Sequence, residues 1–214
     1  MANTRIQAFD RHPAPAPAFS VCVYCGSRPG ANPAYAQAAV QVGQWIARHG
    51  GQLVYGGGHN GLMGILADAC LSAGGRVVGV IPQDMVEREW AHTGCHELIV
   101  VSTMHERKRI MLERADAFVA LPGGLGTFEE FFEAWTWRHL GFHGKPVGLL
   151  NTSGYYDDLL LFFKRGVQDQ FFGTPQMAMM SVGSEVDGLL ELLLQNAGFS
   201  PKARSELLQP ESTG

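Results

Sequence analysis

The sequence predicts a single α/β domain built on a doubly wound parallel sheet with helices on both faces. Three observations carry that prediction. Short, continuous apolar runs rich in β-branched residues alternate with longer stretches of helical periodicity, the pattern of parallel strands buried on both faces. The 214 residues are 46% hydrophobic and 17% charged, enough for one domain with a sizeable core. Three glycine-bearing turns each follow a predicted strand and open a predicted helix, as expected at the carboxyl edge of such a sheet.

Taken in order, the chain opens with Met1 to Ala18, a polar lead-in that ends in the Pro-Ala run from Pro13 to Ala18 and reads as a disordered extension. The domain proper is expected over residues 19–196. Strands are predicted at Ser20–Tyr24, Gln52–Tyr55, Val77–Ile81, Leu98–Val101, Ala117–Leu121 and Val147–Leu150. Helices are predicted at Pro33–His49, Leu62–Ala73, Met104–Ala115, Thr127–Leu140, Tyr155–Gln168 and Glu185–Gln195. Residues 197–214 read as a tail. There is no internal repeat and no sign of a second core.

Composition narrows the function classes. A net charge of −4 with His neutral argues against a nucleic-acid partner held by phosphate contacts, though a few cations can still gather around a small anion. No apolar run reaches the length of about 18 residues that suggests a membrane span, and the N-terminus lacks the apolar core of a signal peptide. Cys22 and Cys25 have CxxC spacing, but residues three apart on a strand point to opposite faces, so a structural role is expected. His92, Cys95 and His96 form a cluster without a fourth ligand at diagnostic spacing, so no metal is expected there. The reading is a reduced, cytoplasmic protein.

The three turns are Cys25-Gly26-Ser27, Tyr55-Gly56-Gly57-Gly58 and Pro122-Gly123-Gly124-Leu125-Gly126-Thr127. Glycine lets a ligand approach the backbone, and the free N–H groups of the following helix favour an anion. None is a Walker loop, because no Lys-Ser/Thr follows, and the dinucleotide fingerprint is absent from the first turn.

Two helices bear candidate chemistry. On Met104–Ala115, Met104, Met111, Leu112 and Ala115 share an apolar face, while Glu106, Arg109 and Glu113 lie opposite. Arg107 and Lys108 fall on the core side, where an unpaired charge is expensive. They are open to two readings: snorkelling or a salt bridge to a core carboxylate, and the holding of a phosphate or a catalytic acid. On the next helix, Phe128, Phe131, Phe132 and Trp135 form a packing stripe. Thr127 and Glu130 have the spacing of a capping box. Alternatively, Glu130 is an acid or base placed close to a bound phosphate.

The run Pro122-Gly123-Gly124-Leu125-Gly126-Thr127-Phe128-Glu129-Glu130 resembles the PGGxGTxxE motif of the LOG ("Lonely guy") family of cytokinin-activating phosphoribohydrolases. Met104-His105-Glu106-Arg107-Lys108 resembles that family's second motif, and Cys25-Gly26-Ser27, Tyr55–Gly58 and Gly144–Asn151 also look like it. The resemblance spans roughly Val21 to Leu194. It implies a Rossmann-like fold, a homodimer, and hydrolysis of the N-glycosidic bond of a nucleoside 5′-monophosphate without a cofactor. It further implies catalytic roles for Arg107 and Glu130, and substrate contacts at Lys108 and at Gly123, Gly124, Gly126 and Thr127, which hold the 5′-phosphate. Gly26, Ser27, Gly57, Gly58 and Met104 belong to the same implied site. Glu89 and Thr136 align with two further contacts, and the segment from Glu89 to His96 departs from the plant pattern, so the preferred base stays open between adenine and N6-substituted adenine. The aromatic residues Trp135, Trp137 and Phe142 are expected at the core or the dimer interface.

Rival readings are a nucleotide sensor or carrier of the same fold, a pyridoxal-phosphate lysine decarboxylase and a nicotinamide-dependent dehydrogenase. A decarboxylase needs a Schiff-base lysine, and only Lys108, Lys145, Lys164 and Lys202 are available. The dehydrogenase lacks its fingerprint.

Overall fold

The computed structural model describes residues 5–8, 16–88 and 90–200. The strands are β1 (Arg5–Ala8), β2 (Ser20–Tyr24), β3 (Gln52–Tyr55), β4 (Arg76–Pro82), β5 (Glu97–Val101), β6 (Ala117–Ala120), β7 (Val147–Leu150) and β8 (Met180–Gly183). The helices are α1 (Pro33–Arg48), α2 (Gly61–Ser72), α3 (Gln83–Glu87), α4 (Met104–Arg114), α5 (Leu125–His139), α6 (Asp157–Gln168), α7 (Thr174–Ala178) and α8 (Val186–Asn196).

These strands form one sheet in the order β1-β5-β4-β3-β2-β6-β7-β8. All neighbouring pairs are parallel except β1 with β5, which is antiparallel. The chain winds outward from β2 through β3, β4 and β5, then returns to the other side of β2 with β6. The β2/β6 junction is therefore the topological switch point, where the two connections diverge and leave a crevice at the carboxyl edge.

Side-chain alternation sorts the core into two layers. Val21, Val23 and Cys25 face a cluster closed by α1, α2 and α8, while Cys22 and Tyr24 face a cluster closed by α4, α5 and α6. Cys22 and Cys25 thus sit on opposite faces of the sheet, and both are buried free thiols. Burial pushes the Cys22 thiol well up, with the Glu130 charge adding to it.

Local signals explain the helix starts. Asn32 caps α1 by accepting the Ala34 N–H at 3.0 Å, with Pro33 in the first position. Thr103 caps α4 through the Glu106 N–H at 3.1 Å, and the Glu106 carboxylate reaches back to the Ser102 N–H at 3.0 Å. This arrangement resembles a capping box. It buries Glu106, which the helical wheel placed on the outer face, and it leaves Met104 exposed.

The lead-in reading of the N-terminus changes at Arg5–Ala8, which form the antiparallel edge strand beside β5. Four residues with one exposed Ile give no periodic signal, so the pairing is legible only from the tertiary structure. Residues 1–4, 9–15 and 201–214, and with them most of the expected extension and tail, lie outside the described residues.

Candidate active site

The glycine turns after β2 and β6 meet at the switch point. The Gly26 N–H donates to the Pro122 carbonyl at 3.1 Å, and the Leu62 N–H donates to the Gly26 carbonyl at 3.0 Å. Together they wall a cleft of about 540 Å³ whose lining includes Gly26, Ser27, Arg28, Tyr35, Gly123, Gly124, Gly126 and Tyr155. Thr127 is buried beneath the turn. Its Oγ1 lies 2.0 Å from where a Gly123 side chain would begin, so only glycine fits there. Gly124 and Gly126 face open space.

Two tyrosines brace this turn from the β7 side. The Tyr156 hydroxyl donates to the Leu121 carbonyl at 2.6 Å, and the Tyr155 hydroxyl donates to the Gly123 carbonyl. With those carbonyls engaged, the first N–H groups of α5 are left at the mouth of the cleft. Their four intrahelical partners are missing by geometry, and the helix dipole makes that end favourable for an anion.

The Thr127–Glu130 spacing does not make a capping box. Helix α5 begins two residues before Thr127, with Gly124 as its N-cap and no side-chain cap bond. Glu130 is therefore free of capping duty. It lies about one and a half turns inside the helix, roughly 7–8 Å along its axis, on the face toward α4.

There Glu130 meets Arg107. The Arg107 guanidinium is buried and held on three sides: Nε donates to the Val80 carbonyl at 3.0 Å, Nη2 to the Gly56 carbonyl at 3.1 Å, and Nη1 lies 3.2 Å from Glu130 Oε1. Met104 Sδ sits 3.4 Å from Nη1. A side chain at position 56 would begin 2.1 Å from Nη2, so Gly56 makes room for the guanidinium. Glu130 Oε1 is buried without a hydrogen-bond donor among the described residues; its contact with Arg107 is an ion pair out of line for a hydrogen bond. Burial pushes the Glu130 carboxyl above its ordinary value, Arg107 pulls it back, and Glu129 pushes it up again. Glu130 also acts across the wall of the cleft: burial first, then its charge, raises the Cys25 thiol next to Gly26.

Lys108 turns the other way. Its Nζ lies 2.5 Å from Glu129 Oε1 and 2.5 Å from Glu133 Oε2. Burial alone would lower this ammonium, but the hydrogen bonds to the two glutamates outweigh it and hold the group above its usual value. Both core-side cations of α4 therefore face carboxylates of α5: Lys108 a pair at the helix surface, Arg107 the buried Glu130.

The remaining expected site residues divide. Gly26, Ser27, Gly123, Gly124 and Gly126 line the cleft. Arg107, Met104 and Glu130 cluster beside it on the α4 side rather than in its lining. Gly57 and Gly58 lie outside the lining too. Gly57 takes the His92 N–H at 2.8 Å, and Gly58 bridges to Ala91, so this turn anchors the segment that departs from the plant pattern. Glu89 lies outside the described residues. Thr136 is exposed on α5, ten residues or about 15 Å from the turn. His92, Cys95 and His96 face separate partners: Asp68 Oδ1 at 3.0 Å, the Tyr55 hydroxyl at 3.4 Å and the Val77 N–H at 3.3 Å.

Arg28, Tyr35 and Tyr155 were not picked out from sequence. A usable signal existed for Tyr155, since Gly154-Tyr155-Tyr156 follows the strand beside β6 at the same sheet edge. Arg28 had none beyond its place after Ser27.

Comparison with known proteins places this architecture. A family model described as "Possible lysine decarboxylase" matches residues 63–193. A cytokinin riboside 5′-monophosphate phosphoribohydrolase of Rhodococcoides fascians is 48% identical over 172 residues, covering 80% of this chain and 87% of that protein. The Arabidopsis thaliana cytokinin riboside 5′-monophosphate phosphoribohydrolase LOG2 is 44% identical over 173 residues, 81% of each chain. Among solved structures, the Moco carrier protein of Chlamydomonas reinhardtii superposes with a TM-score of 0.63 at 22% identity, covering 84% of this chain and 97% of that one, a likeness of fold. On the strength of the motifs, the fold and these identities, the chain belongs to the LOG family, that of the cytokinin riboside 5′-monophosphate phosphoribohydrolases.

Proposed function

We propose that this protein hydrolyses the N-glycosidic bond of adenosine 5′-monophosphates, N6-substituted ones included, releasing free base and ribose 5-phosphate. The observation that carries the proposal is Glu130: a buried carboxylate with an unsatisfied Oε1, free of capping duty, beside Arg107 and a short helical step from an anion-ready turn. A pure anion binder gains nothing from a carboxylate so placed, since it repels the ligand.

In this reading the 5′-phosphate sits on the Gly123–Thr127 turn and the α5 N-terminus, which anchors the part of the substrate remote from the reaction. As the bond between the anomeric carbon and the base breaks, positive charge builds on that carbon. Glu130 stabilises the charge and takes a proton from the attacking water, whose oxygen bonds to the anomeric carbon. The electron pair of the broken bond leaves with the base, which takes a proton from solvent, and Glu130 returns its own to solvent afterwards. General-base help of this kind is worth on the order of 10²–10⁴ in rate. Arg107, fixed by two backbone carbonyls, holds Glu130 in place and opposes the upward push that burial gives its carboxyl. The segment 90–96, pinned to Gly57–His59, is the one that the family resemblance puts next to the base.

A Schiff-base reaction fits these residues poorly. Among the described residues no lysine lines the cleft, Lys108 is held protonated, and the Lys145 ammonium donates to the Leu112 carbonyl at 2.6 Å. Four free cysteines suit a reducing, cytoplasmic setting, and no helix among the described residues is long and apolar enough to cross a membrane. A homodimer is part of the proposal, supported by exposed Phe142 and Leu140 beyond α5 and Leu161 and Phe162 on α6. Trp135, by contrast, is core, packed on Phe131 and Phe163.

The test is product analysis. Free base from AMP and from isopentenyladenosine 5′-monophosphate, with none from the matching nucleosides, is the expected result, and the rate ratio names the preferred base. Tight nucleotide binding without release would make the protein a carrier or sensor instead.

A further inference from the structure

The glycine cleft must hold a phosphate that carries close to two negative charges at neutral pH, and backbone N–H groups supply only partial charge. The two cations that sequence offered for it are both committed elsewhere. Arg107 is locked between the Val80 and Gly56 carbonyls and Glu130, and Lys108 between Glu129 and Glu133. Among the described residues that line the cleft, one is cationic: Arg28. Its guanidinium is exposed and has no hydrogen bond or ion pair among the described residues.

Its backbone, however, is firmly seated. The β2–α1 loop is tied to α2 through the Gly26 carbonyl and the Leu62 N–H. At Gly61 (φ +59°) a side chain would begin 2.3 Å from the Ser27 carbonyl carbon and 2.4 Å from the Arg28 nitrogen. Helix α2 thus presses directly on the loop that carries Arg28. On the far side, Tyr35 packs against Gly30, and its ring meets Tyr155 edge-on at 5.5 Å. The result is a fixed base with a free guanidinium, in the lining of the cleft that the Gly123–Gly126 turn also walls. A planar fork of this kind suits a phosphate.

We propose that Arg28 is the specificity-determining cation of the cleft, the residue that selects a 5′-phosphorylated ligand over its unphosphorylated counterpart. This rests on the reading of the glycine cleft as the phosphate site, and it assigns Arg28 no part in bond cleavage.

The test uses calorimetric titration of the full-length protein with ribose 5-phosphate and with ribose, for the wild type, Arg28→Ala and Arg28→Lys, beside thermal melts. Because Arg28 is exposed and unpaired, both variants are expected to melt with the wild type. Arg28→Ala is expected to weaken ribose 5-phosphate binding at least tenfold, in line with a charge-assisted contact at a partly exposed site, with Arg28→Lys intermediate. The wild type's affinity is also expected to fall more steeply with salt than that of Arg28→Ala. Equal affinity in the wild type and Arg28→Ala, or no ribose 5-phosphate binding by the wild type, overturns the inference. The readout does not depend on turnover. A protein that releases no base from AMP yet loses ribose 5-phosphate affinity on Arg28→Ala refutes the hydrolase reading alone; one that hydrolyses AMP while Arg28→Ala binds normally refutes this inference alone.

Discussion

Glu130 and Arg107 are buried together, and the energetics of that burial set what the pair can do. An ionised carboxylate in a dry setting is costly unless paired, and here burial pushes the Glu130 carboxyl above its ordinary value of 4.5 even with a guanidinium beside it. A base must be deprotonated to act, so turnover is expected to rise with pH through the Glu130 pKa, with the acid limb of kcat displaced upward from that of an ordinary carboxylate. Glu130→Gln keeps the volume and removes the base. It is expected to cut kcat by about 10²–10⁴ and abolish the acid limb while nucleotide affinity survives; a kcat near that of the wild type would remove Glu130 from the chemistry. The residue-level reading from sequence succeeded where a charge sat on a core face, because Arg107 and Lys108 demanded partners. It could not name the partners, however, because helical spacing does not show that Glu129 and Glu133 lie 2.5 Å from Lys108.

At the scale of elements, α5 does two jobs. Its first turn offers N–H groups to the cleft, and its second and third present carboxylates to α4, so the ion pairs Arg107–Glu130 and Lys108–Glu133 tie the two helices together. A carboxylate placed in the first turn separates these roles. Gly126→Asp enters open space and favours the helix dipole by about 0.3–1 kcal/mol, so the melting temperature is expected to hold or rise slightly. The same charge repels a bound phosphate, and KM for the monophosphate is expected to increase on the order of tenfold. An unchanged KM would move the phosphate away from this turn. Long periodic elements were legible in advance, within a residue or two at most ends, because buried strands and amphipathic helices leave unbroken patterns. The start of α5 was misjudged because Leu125 is exposed and glycines carry no helical signal. Strand β8 escaped because Met180–Gly183 is a short edge strand with one buried residue.

For the whole molecule, the sheet order decides where function gathers. Parting the connections at β2/β6 brings the turns after Tyr24 and Leu121 together, though nearly 100 residues separate them, and no local pattern contains that pairing. The α/β alternation and the general rule for such sheets put the glycine turns at one edge, and the strand order decides which of them meet. Exposed Phe142 and Phe162, 70% and 66% accessible, are expected to be covered in a homodimer. Light scattering at micromolar concentration is expected to give twice the chain's 23.2 kDa, and a monomer mass would leave those faces without a partner. The central claim concerns chemistry, and one measurement reaches it directly: chromatography of products from AMP and isopentenyladenosine 5′-monophosphate, with wild type and Glu130→Gln side by side. Free base and ribose 5-phosphate are expected from the wild type, with release by Glu130→Gln slower by about 10²–10⁴. Intact nucleotide in both reactions, or equal base release by both proteins, would contradict it.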